Sequence, residues 1–307
     1  MSGHGHGHAT AAASGSGGRR RLSVVLAITV TVLVVEVVGA VLSGSLALLA
    51  DAAHVLTDVA GLLLALGAAV LMGRRPSPRR TWGWHRAEVV SAALQALVLL
   101  AVGAFVLVEA VRRLVHPPEV AGSAMALFGA VGLVGNLAAV AVLAGARTHD
   151  LNHRAAFLEV VNDALGSVAV LVAAAVVALT GWTRADPVAS LVIGALIVPR
   201  TLVLLRESVE VLLESTPRGL DLDDVRQHLL EVAHVRDVHD LHAWQVATGL
   251  PVLTAHVVVD DACFVEGDQP AMLDEVQACL AGHFDVEHST IQFEAAGHAA
   301  HEHARHD

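Results

Sequence analysis

The sequence predicts an α-helical membrane protein: six transmembrane helices followed by a small soluble α+β domain. Three observations carry this. Of 307 residues, 55% are hydrophobic and only 16% charged, with a mean hydropathy of +0.62, against roughly a quarter charged in a soluble domain. Apolar stretches occupy residues 22–42, 46–72, 88–113, 124–145, 156–180 and 187–206, each near the ~20 residues that cross a bilayer core as helix. Charge also breaks sharply. Fifteen Arg stand against ten Asp plus Glu up to Arg206 (+5), and four against twenty beyond it (−16), which marks two bodies in different solvents. Two cysteines, Cys263 and Cys279, cannot build a disulfide framework and point to a reducing compartment. Nucleic acid is not an expected partner, because phosphate repels the acidic half.

Residues 1–21 open with MSGHGHGHATAAASGSGG, which lacks the apolar periodicity that would offset the entropy of ordering. A disordered tail is expected, its His4, His6 and His8 offering weak metal ligands or belonging to a linker or tag. Residues 22–206 form the transmembrane domain. Its first span is too long, and too soon followed by a second, to be a cleaved signal. Arg19, Arg20 and Arg21 precede span 1; Arg74, Arg75, Arg79, Arg80 and Arg86 separate spans 2 and 3; Arg147 and Arg154 separate spans 4 and 5. The opposite side carries only Arg112, Arg113 and Arg184, so both termini are expected in the cytoplasm.

Residues 207–296 read as the soluble domain: a helix at about Leu222–Val232, strands at Val235–Val246 and Val252–Val259 joined by a Thr248–Pro251 turn, a helix at Pro270–His283 and a strand at Ser289–Phe293. The order αββαβ indicates a two-layer α+β unit. Residues 297–307 return to a polar, His-rich tail.

Ionisable groups inside a span are expensive and signal function. Span 2 holds Asp51, His54 and Asp58 at offsets 0, 3 and 7, within a sector of roughly 60° at about 100° per residue. Span 5 holds Glu159 and Asp163 at i and i+4, with Asn162 beside them. On a soluble helix such pairs would be a solvated face; within apolar spans the bland alternatives are a proton relay or interhelical hydrogen bonds. His54, Asp58, Glu159 and Asp163 facing one another would supply one imidazole and three carboxylates, the four ligands of a tetrahedral zinc site.

ADAAHVLTDVAG in span 2, WGWHRAE before span 3, LEVVNDALGS in span 5 and VHDLHAWQV in the soluble domain resemble the cation diffusion facilitator family, over about Val24–Glu294. The resemblance implies a cytoplasmic ferredoxin-like domain, a homodimer, and export of zinc, or of cobalt, cadmium, iron or manganese, in exchange for protons. On matching positions, His54, Asp58 and Asp163 would be transport-site ligands, while Glu159 stands where many members have His and others Asp. A carboxylate there hardens the site, and ligand type alone does not separate zinc from manganese, cobalt or ferrous iron.

In the soluble domain His239, His242, His256 and His288 lie on or beside predicted strands; the resemblance makes His239, His256 and His288 the ligands of a regulatory site, against a reading as ordinary surface histidines. Cys263, after Asp260 and Asp261, is a further ligand or a plain thiol. Glu36 and Glu109 stand alone in their spans, His85 and Glu88 read as interfacial or capping residues, and Gly122, Gly129, Gly132 and Gly135 as packing positions.

The sequence therefore predicts an inner-membrane metal/proton antiporter rather than an enzyme, with no cofactor beyond the transported metal. The competing readings are a membrane-anchored metal sensor or buffer, and a proton-coupled carrier of organic cations.

Overall fold

The computed structural model describes residues 16–144 and 151–298. The His-containing segment before Ser16 and the tail from 299 lie outside the described residues. Helices α1 (Ser16–Ser43), α2 (Leu46–Met72), α3 (Arg86–Val115), α4 (Gly122–Ala144), α5 (Leu151–Thr180) and α6 (Ala185–Leu212) come first. All six are long and apolar enough to cross a membrane. Two ends differ from the apolar boundaries. Ser16–Arg21 form the first turns of α1, and α6 continues past Arg206, where Arg206 pairs with Glu210 one turn on at 2.7 Å. Polar residues extend a helix without extending its hydropathy, so the apolar pattern stops short of both.

The chain forms two compact units. Of the described residues, those up to Ala69 and those between Ser91 and Leu205 form one; Val70–Val90 and those from Arg206 on form the other. The α2–α3 loop thus belongs to the same unit as the soluble domain.

In the first unit, Leu63, Phe105, Val108, Leu179 and Leu196 are exposed, as helices facing lipid rather than water require. Leu46, Leu48, Met125, Val170 and Ala174 form part of the buried core. Helix α4 packs against both α1 and α5. A Cβ at Gly135 would lie 2.3 Å from Val32 Cγ2, so small residues on α4 set the helix approach.

In the second unit α7 (Leu222–Glu231), β1 (Val235–Ala247), β2 (Leu250–Val259), α8 (Ala262–Glu266), α9 (Gln269–Phe284) and β3 (His288–Ala295) follow the expected αββαβ order. The short α8 is an addition that the sequence did not signal. Asp221 caps α7 by accepting from Asp223 N at 2.9 Å, and Gly249, at φ +71°, allows the tight Thr248–Gly249 turn between β1 and β2. The sheet order is β1-β2-β3, antiparallel then parallel. Val225 and Leu229 of α7 and Val276 and Leu280 of α9 share a core with Val238, Leu253 and Val257 of the sheet.

The α1–α2 turn depends on a single acid. Asp186, wholly buried in the first turn of α6, accepts from Ser45 Oγ at 2.5 Å, Leu46 N at 2.8 Å and Ala47 N at 3.1 Å. These amides begin α2 and have no intrahelical partner, and a carboxylate is favoured at that helix end. Asp186→Ala strands them in a buried site, so unfolding of the purified protein in detergent is expected to become easier by about 1–3 kcal/mol. An unchanged midpoint would show that water replaces the carboxylate.

Candidate metal centre

His54 and Asp58 lie one turn apart on α2, and Asp163 faces them from α5. His54 Nε2 is 3.8 Å from Asp58 Oδ2 and 3.6 Å from Asp163 Oδ1. One ligand atom from each lies within 4.8 Å of the others. Ligands ~2 Å from a tetrahedral zinc stand roughly 3.4 Å apart, so the three need only a small closure to share an ion. Thr57 Oγ1 donates to His54 O at 2.6 Å, and Thr57 O accepts from Gln95 Nε2 of α3 at 3.3 Å, fixing the backbone beside the site. His54 Nδ1 is buried with no hydrogen-bond partner among the described residues. Three of the four expected ligands thus come together. Glu159 is one turn before Asp163 on α5, but its side chain lies outside the described residues. Asn162 is exposed.

Asp51 shares the helical sector of His54 and Asp58 but does not join their cluster. It accepts from Ser167 Oγ of α5 at 3.2 Å, and Ser167 Oγ in turn accepts from Asn136 Nδ2 of α4 at 3.1 Å. The sector fixes direction around the helix axis, not height along it, and Asp51 lies about 10 Å below Asp58 at 1.5 Å per residue. Glu36, isolated in the sequence, is fully enclosed beside Asp51. An acid within an apolar span was its only signal. Glu109 forms ion pairs with Arg113 at 2.9 Å and Arg112 at 3.5 Å.

In the sheet, His239 of β1 is directly opposite His256 of β2. His239 is buried between two carboxylates, its Nδ1 2.9 Å from Asp240 Oδ2 and its Nε2 3.2 Å from Glu294 Oε2; His256 Nδ1 is 2.8 Å from Glu294 Oε1. His239, Asp240 and His256 can share an ion. A register shift between His239 and His242, with Asp240 at φ 47°, breaks the alternation of β1 and places His239 and Asp240 in the interior together. Bulges re-aim side chains in this way, and Asp tolerates the left-handed conformation.

His288 does not join them. In the parallel β2–β3 register His256 pairs with Gln292 and His288 with Val252, about 13 Å away along the strand. The exposed His288 ring instead packs edge-on against Trp82 of the α2–α3 loop, centroids 4.7 Å apart. His242 is exposed, 3.9 Å from Asp240. His85 is half-buried beside α3, whose first turn carries Glu88, a favourable place for an acid.

A bundle of apolar helices with metal-capable groups buried between two of them, joined to a small α+β domain, defines a multi-pass membrane protein that handles metal ions. The comparisons with known proteins agree. Residues 22–213 match the cation efflux transmembrane domain and residues 217–296 the cation efflux protein cytoplasmic domain. The metal cation efflux system protein CzcD of Cupriavidus metallidurans is 41% identical over 86% of this chain and 82% of its own; the zinc transporter ZitB of Escherichia coli is 41% identical over 85% and 82%. The cadmium, cobalt and zinc/H(+)-K(+) antiporter of Bacillus subtilis is 33% identical over 86% and 85%. The chain belongs to the cation efflux family and is a transporter, not an enzyme.

Cys263 stands apart from both clusters. It is buried in α8, and burial, with Asp260 and Asp268 nearby, pushes its thiol above the usual range. Asp260 is occupied by Arg236 at 2.5 Å and His234 at 3.3 Å, and the Arg236 hydrogen bond holds its carboxyl below the usual range. Zinc ligation and alkylation both need thiolate. Cys263→Ala is therefore expected to leave the zinc stoichiometry of the protein unaltered in equilibrium dialysis, and a lost zinc equivalent would make Cys263 a ligand.

Proposed function

We propose that this chain exports zinc, or a related divalent transition metal, from the cytoplasm in exchange for protons. The observation that carries the reading is the His54–Asp58–Asp163 cluster between two apolar helices, and we add Glu159 as its fourth ligand. The relatives' names support zinc and, for one, a proton-linked exchange. A sensor or buffer needs no ligands at bilayer depth, and an organic cation needs no imidazole among its carboxylates. Cytoplasmic metal would displace protons from the ligands, because binding requires their deprotonated forms. Reorientation of the bundle would then expose the site, and external protons would release the metal. The Arg-rich loops support an inner-membrane protein with both termini in the cytoplasm.

Residues 22–206 would form the transport domain and 207–296 a cytoplasmic domain that dimerises and senses metal through His239 and His256, with Asp240 and Glu294 completing the donor set in place of His288. Metal there would offset the repulsion between two domains at −15 each, three Arg against eighteen Asp plus Glu, and draw them together.

Reconstituted protein is expected to accumulate zinc only against an opposing proton gradient. The Asp58→Ala, Asp163→Ala double variant should abolish uptake; undiminished flux would remove the site assignment. Glu159→His should narrow a panel of metals toward zinc and move the pH profile, as an imidazole of pKa about 6.5 replaces a carboxylate of about 4.3. If both stay unchanged, Glu159 does not face the metal.

A further inference from the structure

We propose that Glu36 and Asp51 form a proton-holding carboxyl pair, separate from the metal ligands, that carries the proton exchanged for metal. This rests on the transport reading above. Glu36 of α1 is fully buried and Asp51 of α2 is 2% exposed. The Glu36 carboxyl adjoins that of Asp51 and feels the charge of Asp163 at longer range. Neither Glu36 oxygen has a hydrogen-bond partner among the described residues, whereas Asp51 accepts from Ser167 Oγ at 3.2 Å. Ionised carboxylates only accept, so two of them side by side can form a hydrogen bond only when one carries a proton. The partner that Glu36 lacks is therefore a proton. Buried neighbouring acids that share one are the familiar resolution of like-charge crowding.

The space for the pair is built into the helices. A Cβ at Gly132 of α4 would lie 2.6 Å from Glu36 Oε1, and one at Gly166 of α5 would lie 2.5 Å from Asp51 Oδ1. Two different helices thus give up side chains where the two carboxyls sit. The groups around the pair are acidic or neutral: Ser167 from α5, Asn136 behind Ser167 from α4, the Gly132 backbone and, within electrostatic reach, Asp163 from α5. On α2, His54 follows Asp51 by three residues. No fixed cation faces the pair among the described residues, so its charge is balanced by something mobile. A divalent ion on His54, Asp58 and Asp163 would expel the proton to water. Reprotonation of Glu36–Asp51 from the other side would restore neutrality and help release the metal. Protons and metal then occupy neighbouring sites rather than competing only for the same ligands.

The test is proton release on zinc binding, followed with a pH-indicator dye in weakly buffered detergent solution of the full chain. Glu36→Gln keeps the shape and removes the titratable group. It should bind zinc yet release about one proton fewer per zinc than the unaltered protein, and its zinc flux in vesicles should lose pH dependence. Asp51→Asn should behave alike. Gly132→Ala, which leaves both acids in place but displaces Glu36, should also lower the count. Unchanged proton release in whichever of these variants fold overturns the proposal. So does a count in the unaltered protein that falls when potassium replaces choline, since the pair would then hold an alkali cation. Failure of the transport reading looks different: zinc binding to the unaltered protein would be absent, or undiminished in His54→Ala.

Discussion

A carboxylate buried between apolar helices must find a positive or donating partner, because no water solvates it and its charge is expensive. The arrangement of the membrane helices follows from how each acid meets that demand. Asp186 takes the amide end of α2, and Glu109 takes Arg112 and Arg113, of which Arg113 also donates to Gly44 O at 2.7 Å. These partners are permanent, and the acids they hold are structural. Asp58 and Asp163 face the His54 imidazole, and Glu36 and Asp51 face each other. Acids with fixed partners stay put; acids without them are where the proposed transport would place its ions.

The soluble domain shows the same division. Arg236 and Arg218 secure Asp260, Glu207 and Glu210 in exposed ion pairs, worth little each in water. His239 instead sits between Asp240 and Glu294 in the interior, with His256 on the second oxygen of Glu294. Two imidazoles sharing a buried carboxylate form a donor set that could hold an ion. Elsewhere in this unit the α2–α3 loop is held by Trp82 on His288 and by Arg86 on Glu214 at 2.6 Å. His288 therefore fastens that loop within the unit.

Much of this was legible in the sequence because the decisive signals are local. The six spans announce themselves by hydropathy, and the spacing of His54 and Asp58 puts two metal-capable groups on one helix face. Asp163 was legible as an acid where no acid belongs. What the sequence withheld depends on contacts between elements. That His288 misses the His239–His256 pair follows from the β2–β3 register, and that Glu294 takes its place follows from the same register, together with the bulge after His239. Glu36 read as solitary because its neighbour is on another helix, in space opened by a glycine on a third. Loss of a side chain leaves no chemical trace in a sequence until the helices are placed side by side.

The two acidic groups in the bundle cannot be understood one at a time. With Glu159 included, a divalent ion on one imidazole and three ionised carboxylates leaves a net charge of about −1, already unfavourable in a medium without water. Two further ionised carboxylates at Glu36 and Asp51, the first within electrostatic reach of Asp163, would deepen that to about −3 and hold the metal too tightly to release. A proton on the pair limits the excess, and its departure tightens the grip on the metal. The gain and loss of that proton thus sets metal affinity through charge alone, without any ligand having to leave the ion. The proposed exchange of metal for protons would then follow from the electrostatics of one crowded region, and the glycines that let both carboxyls into it would be as much a part of that exchange as the metal-capable groups.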